Sequence, residues 1–289
     1  MKLNKVKIFG KYVFNYLPDD KYVGQRIALE KYEPYETELI LRQVKSGDII
    51  VDVGANIGYY TVLFADKVGK SGKVIAIEPD PINFEILQKN IKENKLFNVV
   101  AVQAAVGKEN KKMEIFKSKT NFGDHRLWQN PSKSPFDERE TSRKPVQIFC
   151  RRLDDLLKDL GYDKIDLIKV DTQGWEPEVF AGAKTTIEKD LPIIFFEYSP
   201  ASYKLAKLSE MEMMSWLKKL YKKFWWIDEW LYIYKCLEKE KIDKICETNK
   251  TGYADLWVKK EMSFGDKIGQ FKNIKIKKLI KKILKYENN

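Results

Sequence analysis

Asp52, Glu78, Asp171 and Glu197 each stand at the end of a short run rich in β-branched or aromatic residues, at 49–53, 73–77, 165–170 and 193–196. Runs of this kind read as strands buried on both faces, and in a doubly wound sheet the carboxyl ends of such strands line one crevice. Four carboxylates brought together there can accept hydrogen bonds from hydroxyls, orient a nucleophile or share a cation. Acids in these places also cap the helices that follow strands, which accounts for any one of them but poorly for all four. His125, the single histidine of the chain, adds the one side chain that ordinarily titrates near neutrality. It is suited to take a proton from a weakly acidic hydroxyl.

The elements that must hold these residues begin with strand 49–53, the turn Gly54-Ala-Asn-Ile-Gly58 and a helical pattern over 58–68. Glycines there permit positive φ and close approach of a ligand, while the helix N-terminus and Asp52 offer polar partners. Glu78 lies 20 residues past Gly58, the spacing at which a doubly wound fold presents an acid to a ribose diol. A dinucleotide fingerprint needs glycine at 56 and 59, and this chain has Asn56 and Tyr59. Side chains in those places crowd a pyrophosphate. A ligand with a ribose and no phosphates satisfies both observations, and S-adenosylmethionine is such a ligand.

Strands and helices alternate onward: strand 73–77, helix 81–94, strand 98–103, strand 165–170, and a buried strand 193–196. Alternation of this kind implies parallel pairing through right-handed crossovers. Segments 112–117 and 145–150 read as two further strands, and the long polar stretch between them, 118–144, as a lid insertion carrying Gly123-Asp-His-Arg126. A helix near 209–221 precedes 224–227 and 254–258, which read as antiparallel closing strands, with 235–247 a charged excursion. The expected division is a basic helical extension over 1–35, one α/β domain over 36–262 and a basic helix over 263–289.

The chain of 289 residues is 44% hydrophobic and carries a formal charge of +11, enough for one substantial core with appendages. Only 7 of its 53 basic residues are arginine, so the excess reads as lysine on a solvated surface and nucleic-acid recognition is not favoured. Cys150, Cys236 and Cys246 are odd in number and lack C-x-x-C spacing, which argues against disulfides and a zinc site. No run approaches the ~18 apolar residues of a membrane span and no signal peptide is visible, so a cytoplasmic location is expected. The last segment places Phe271, Ile274, Leu279, Ile280, Ile283 and Leu284 at helical spacing among lysines. Such a helix either lies on an anionic membrane, near lipid-linked glycan precursors, or packs on protein.

The segments Val51-Asp-Val-Gly-Ala-Asn-Ile-Gly-Tyr-Tyr-Thr61, Ile77-Glu-Pro-Asp80, Ala104-Ala-Val-Gly107, Gly123-Asp-His-Arg126, Ile168-Lys-Val-Asp-Thr-Gln-Gly-Trp-Glu176 and Phe196-Glu-Tyr-Ser-Pro200 together resemble the FkbM-type class I methyltransferases. They fall in the family's order and span roughly residues 33 to 260. The chain departs from the family at Gln173, often glutamate, and Trp175, often smaller. The resemblance implies a Rossmann-like, doubly wound and mostly parallel sheet with an antiparallel closing strand. It also implies S-adenosylmethionine-dependent O-methylation of a sugar or glycan hydroxyl. Glu78 is expected on the ribose, Asp52 and the turn through Gly54, Asn56 and Gly58 on the methionine end, and Pro79, Gln103 and Ala104 beside adenine. Asp171 sits where the family places the acid nearest the transferred methyl, there to orient the acceptor or to bind a divalent cation with Glu197. His125 is expected as general base, and Arg126 as a fork for a carboxylate of substrate or protein. Trp128 and Trp175 either pack on a sugar ring or belong to the core. RNA methylation and a non-catalytic nucleoside-binding scaffold are the competing readings.

Overall fold

The computed structural model describes residues 1–118, 121–129, 143–229, 233–249 and 252–260. The chain opens with a hairpin, β1 (Asn4–Ile8) and β2 (Tyr12–Tyr16), where a basic amphipathic helix is expected. Lys5-Val6-Lys7-Ile8 alternates with period two, and that alternation decides the outcome: the lysines are exposed and Ile8 is buried. Helix α1 (Gly24–Ala28) follows, its amides at Val23 and Gly24 bound by Asp20. Ile8, Phe14 and Ile27 enter the same core as the next helices, so residues 1–35 are an integral layer of the domain and not a helical extension.

Helix α2 (Pro34–Gln43) leads to β3 (Ile49–Val53), α3 (Tyr59–Val68), β4 (Lys73–Ile77), α4 (Pro81–Glu93) and β5 (Val99–Val102). The outer edge of β2 is covered by α4, whose Asn90 and Asn94 side chains accept from the Asn15 and Val13 amides at 2.7 and 2.9 Å. Strands β6 (Ala105–Val106), β7 (Lys111–Lys117) and β8 (Lys144–Arg151) form a separate three-stranded sheet in the order β6-β8-β7. The stretch after β7 folds back on it, with Phe116 and Arg126 exchanging backbone hydrogen bonds. The rest of the expected lid insertion, at 119–120 and 130–142, lies outside the described residues, as does the expected helix over 263–289 with its membrane reading.

Helix α5 (Leu153–Asp159) precedes β9 (Leu167–Val170), α6 (Glu176–Gly182), α7 (Lys184–Asp190) and β10 (Ile193–Tyr198). Then come α8 (Pro200–Leu205), α9 (Glu210–Leu220), β11 (Phe224–Asp228), β12 (Ile233–Leu237), α10 (Lys239–Thr248) and β13 (Ala254–Val258). The main sheet runs β12-β11-β13-β10-β9-β3-β4-β5. Pairing is parallel from β5 to β10, and β13 is antiparallel to both β10 and β11. Since β13 opposes both neighbours, β11 runs with β10, and the reversed strands are β13 and the edge strand β12. The charged excursion at 235–247 instead folds as β12 and α10, with Ile242 and Cys246 buried one helical turn apart.

Alternation along each strand separates two cores. Val51, Val53, Ile168, Val170, Ile194 and Phe196 face α5, α6 and α9, whereas Ile50, Leu167, Phe195 and Trp257 face α2 and α3. The same two-residue period carries onto the second face whatever stands two positions beyond Ile50, Leu167 and Phe195.

Candidate active site

Two positions beyond those residues stand Asp52, Lys169 and Glu197. Register confirms the shared face: Asp52 pairs with Lys169, Lys169 with Phe195, and Glu197 with Asp255. Asp171, two beyond Lys169, joins them. Two cavities open above these strand ends. The first includes Gly54, Asn56, Glu78, Pro79, Ala104 and His125 in its walls. The second, larger one reaches Asp52, Tyr60, Lys169, Glu197, Tyr253 and Asp255. They meet at Gly54, Asn56, Gly123, Asp171 and Gln173, which line both.

In the first cavity Glu78 is buried, and its oxygens accept from the Asn56 and Asp80 amides at 2.8 and 2.9 Å. A carboxylate has about four acceptor sites, so two remain for a pair of hydroxyls. Burial pushes the Glu78 carboxyl up to about 8 despite those two amides. Pro79, Ala104, Ile115 and Leu127 supply apolar walls. Asn83 gives its amide hydrogens to the Phe122 carbonyl at 3.0 Å, and its Oδ1 is buried without a partner on the same cavity.

His125 shares this wall. Its Nδ1 accepts from the Ser118 amide at 3.1 Å, and Nε2 is buried and unpartnered. A neutral ring that accepts at Nδ1 carries its hydrogen on Nε2, so Nε2 donates and has no lone pair for a further proton. Burial pushes the imidazole down to about 4; Asp80 opposes this while Lys117 and Arg143 add to it. The expectation of a general base at His125 is therefore corrected. The cavity instead offers an apolar slot, a hydroxyl-accepting carboxylate, one free acceptor and one free donor, which fits a nucleoside with an adenine edge.

The Gly54–Gly58 turn serves the chain itself. A Cβ on Gly54, at φ +81°, would stand 1.9 Å from the Asp171 carbonyl, and one on Gly58, at φ +89°, would stand 2.6 Å from Leu87. These glycines admit neighbouring segments where ligand approach is expected. Asn56 is likewise occupied: its Nδ2 reaches the Phe122 carbonyl and its Oδ1 the Ile57 amide, so it braces the loop over the cavity.

At the junction, Lys169 Nζ lies 3.3 Å from Asp171 Oδ2 and 4.5 Å from the centre of the Tyr60 ring. Burial alone would lower this ammonium, but Asp171, Glu33, Glu36 and Asp52 outweigh burial and hold it above its ordinary value. Gln173 Nε2 donates to Asp171 Oδ1 at 2.8 Å and reaches Glu197 Oε2 at 3.4 Å. An amide thus bridges the two acids expected to share a metal. Among the described residues no group of three or more His, Cys, Asp or Glu is arranged to hold one. Asp52 accepts from Thr61 Oγ1 at 2.6 Å.

Several expected site residues stand elsewhere. Arg126 forks onto Asp124 at 2.7 and 3.1 Å and covers the Trp128 ring, so its carboxylate is the protein's own. Trp128 donates to the Gln173 carbonyl at 3.0 Å and Trp175 packs in the core; both buttress the 171–175 turn. Gln103 lines a neighbouring depression with Pro79, Lys112 and Phe149. Lys169, Glu33, Glu36, Asn83 and Asp255 went unread. A lysine inside the apolar strand Ile165-Asp-Leu-Ile-Lys-Val170 is the one legible signal among them, because a buried ammonium needs partners.

A mostly parallel sheet whose final strand is reversed and inserted, with carboxylates at the strand ends, is the fold of the class I methyltransferases. Residues 52–224 match the family described as the methyltransferase FkbM domain, and the chain belongs to that family. It is 28% identical over 163 residues to methyltransferase sdnD of Sordaria araneosa, covering 49% of this chain and 62% of that protein. Over 162 residues it is 30% identical to the 2-O-methyltransferase NoeI of Sinorhizobium fredii, covering 54% and 65%. The crystal structure of methyltransferase FkbM from Methylobacillus flagellatus aligns with a TM-score of 0.44 at 17% identity, covering 75% of this chain and 44% of that one. The chain spans less than two thirds of the length of these relatives. No helix among the described residues is long and apolar enough to cross a membrane.

Proposed function

We propose that this chain transfers the methyl group of S-adenosylmethionine to a hydroxyl of a sugar or glycan. The observation that carries the reading is the meeting of a slot lined by Glu78, Pro79 and Ala104 with a larger polar cavity at one carboxylate, Asp171. The likeness to a relative named as a 2-O-methyltransferase supports oxygen as the acceptor atom. When bound, S-adenosylmethionine supplies an electrophilic methyl on a sulfonium. Glu78 accepts the ribose hydroxyls, and Asn83 and His125 face the base. The acceptor oxygen forms its bond to the methyl carbon as the carbon–sulfur bond breaks, the electron pair going to sulfur. Asp171 orients the acceptor hydroxyl and takes its proton, held in place by Lys169 and Gln173. Carboxylates and tyrosine faces in the larger cavity suit a polyhydroxylated ring.

Transfer of labelled methyl to a panel of glycosides tests this. Asp171→Asn is expected to lower kcat by about a hundredfold or more, the usual weight of a proton-accepting group, with S-adenosylhomocysteine affinity unchanged. Activity that survives chelation leaves Asp171 and Glu197 as contacts to the acceptor rather than metal ligands. Binding of NAD without response to S-adenosylhomocysteine would overturn the assignment.

A further inference from the structure

The larger cavity holds more carboxyl groups than the proposed reaction requires. Glu33, Glu36, Asp52, Asp171, Glu197 and Asp255 line it, and Lys169 is its one buried base; Arg26 and Lys31 are exposed. Three of the acids have partners that account for them: Asp52 has Thr61, Glu33 accepts from Tyr60 at 2.8 Å, and Asp171 has Lys169 and Gln173. The cofactor brings a sulfonium and an ammonium against one carboxylate, a net single positive charge. Glu36 and Asp255 remain, with Glu197 held only by the Gln173 amide at 3.4 Å.

Each of these three is held in place by the fold. Glu197 and Asp255 are direct cross-strand partners on one face, where like charges repel unless a proton or a cation lies between them. Glu36 is only 8% exposed, lines the cavity, and its carboxylate has no hydrogen-bond partner among the described residues. Its backbone amide is already bound by Glu229 at 2.8 Å, so the side chain is not spent on capping α2. Burial first, then the neighbouring acids, raises Glu36 and Glu197 well above the usual carboxylate range, and raises Asp255 to about 8. The described acids are not arranged to share a metal ion, whereas an ammonium can donate to several separated carboxylates at once. Tyr32, Tyr60 and Tyr253 add ring faces to the same walls.

We propose that the acceptor carries a protonated amine beside the hydroxyl to be methylated, its ammonium seated among Glu36, Glu197 and Asp255 while the hydroxyl meets Asp171. The substrate class is then an amino sugar or a comparable amino alcohol, not a neutral or anionic glycan and not a polynucleotide. The cradle also directs the chemistry: an ammonium has no lone pair, so the methyl goes to oxygen and the amine is spared. This inference rests on the proposed methyl transfer.

The test uses the full chain saturated with S-adenosylhomocysteine. Failure of that complex to form would sink the methyltransferase reading itself. In the complex, binding of a methyl 2-amino-2-deoxyglucoside is compared by saturation-transfer NMR and thermal shift with the plain glucoside, the N-acetyl derivative and the glucuronide. The amino glycoside is expected to bind about tenfold or more tighter than the plain glucoside, and the glucuronide not at all. Glu36→Gln and Asp255→Asn are expected to remove that preference while S-adenosylhomocysteine binding, which also reports a folded protein, persists. The proposal is overturned by four results: equal or tighter binding of the neutral or acidic glycosides, no saturable binding of the amino glycoside, a preference that survives both substitutions, or displacement of the amine by magnesium ion.

Discussion

Replacing His125 by asparagine separates two roles that predict different kinetics. Asparagine places an oxygen where Nδ1 stands, so the Ser118 amide keeps its acceptor, while the Nε2 hydrogen facing the cavity is removed. A general base contributes about 10² to 10⁴ to the rate. The geometry argues that His125 contributes none of this, since burial pushes its pKa down to about 4 and leaves the imidazole a weak base for a hydroxyl proton. With Nδ1 engaged, it has no site for an incoming proton. What the substitution costs is one donor to the cofactor, worth about 0.5 to 1.5 kcal/mol. The expected outcome is a KM for S-adenosylmethionine raised about two- to tenfold, with kcat within a factor of about three.

The assay is release of S-adenosylhomocysteine from about pH 6 to 9, with the cofactor varied at saturating acceptor. A hundredfold fall in kcat, together with disappearance of the acidic limb of its pH profile, would refute the reasoning and restore His125 as the base. A rise in KM that is reversed by His125→Gln, which returns a polar group near Nε2, supports a positioning role.

Glu78→Ala is expected to weaken S-adenosylhomocysteine by about tenfold or more in calorimetry, because two hydrogen bonds of about 0.5 to 1.5 kcal/mol each are lost. It should also lower Tm, since the Asn56 and Asp80 amides lose their acceptor. The unliganded protein should lose thermal stability as pH rises from about 6.5 to 8. Glu78 and Asp255, raised to about 8, bind more protons folded than unfolded throughout that window, and the sign of linkage makes stability fall there. His125 acts oppositely, between its lowered value of about 4 and the ordinary 6.5, so a thermal melt that strengthens above pH 6.5 would contradict these assignments.

The central sheet was legible because each of its strands pairs an apolar run with a turn, so strands 49–53 and 73–77 are found with their expected ends. The N-terminal hairpin was missed where lysines between apolar residues were read at helical spacing. The four residues Lys-Val-Lys-Ile cannot separate a period of 2 from one of 3.6 by composition alone, and tertiary contact with α4 settles it. On the site, the strand-end rule located Asp52, Glu78, Asp171 and Glu197, since that rule depends on topology and topology follows from alternation. It could not locate Glu33 or Glu36, because they arrive on α2 from outside the sheet. It also passed over Asp255, because β13 is reversed: its first residues, not its last, reach the crevice. Arg126 and His125 were assigned from chemical capacity, and hydrogen bonds made inside the loop had already used that capacity.

The net charge of +11 pointed away from the character of the site. Whole-chain charge governs solubility and non-specific attraction, whereas a crevice at strand ends is decided by the few residues that alternation sends there. Lys169 shows how the two are reconciled. One ammonium placed inside the sheet opposes the burial that raises Asp52 and pairs with Asp171 at 3.3 Å. It also leaves the outer acids, at the reversed strand and on α2, uncompensated by the protein. A cationic cofactor satisfies part of that deficit and a cationic acceptor the rest, so affinity for both should rest on the carboxylates and not on the lysine-rich exterior.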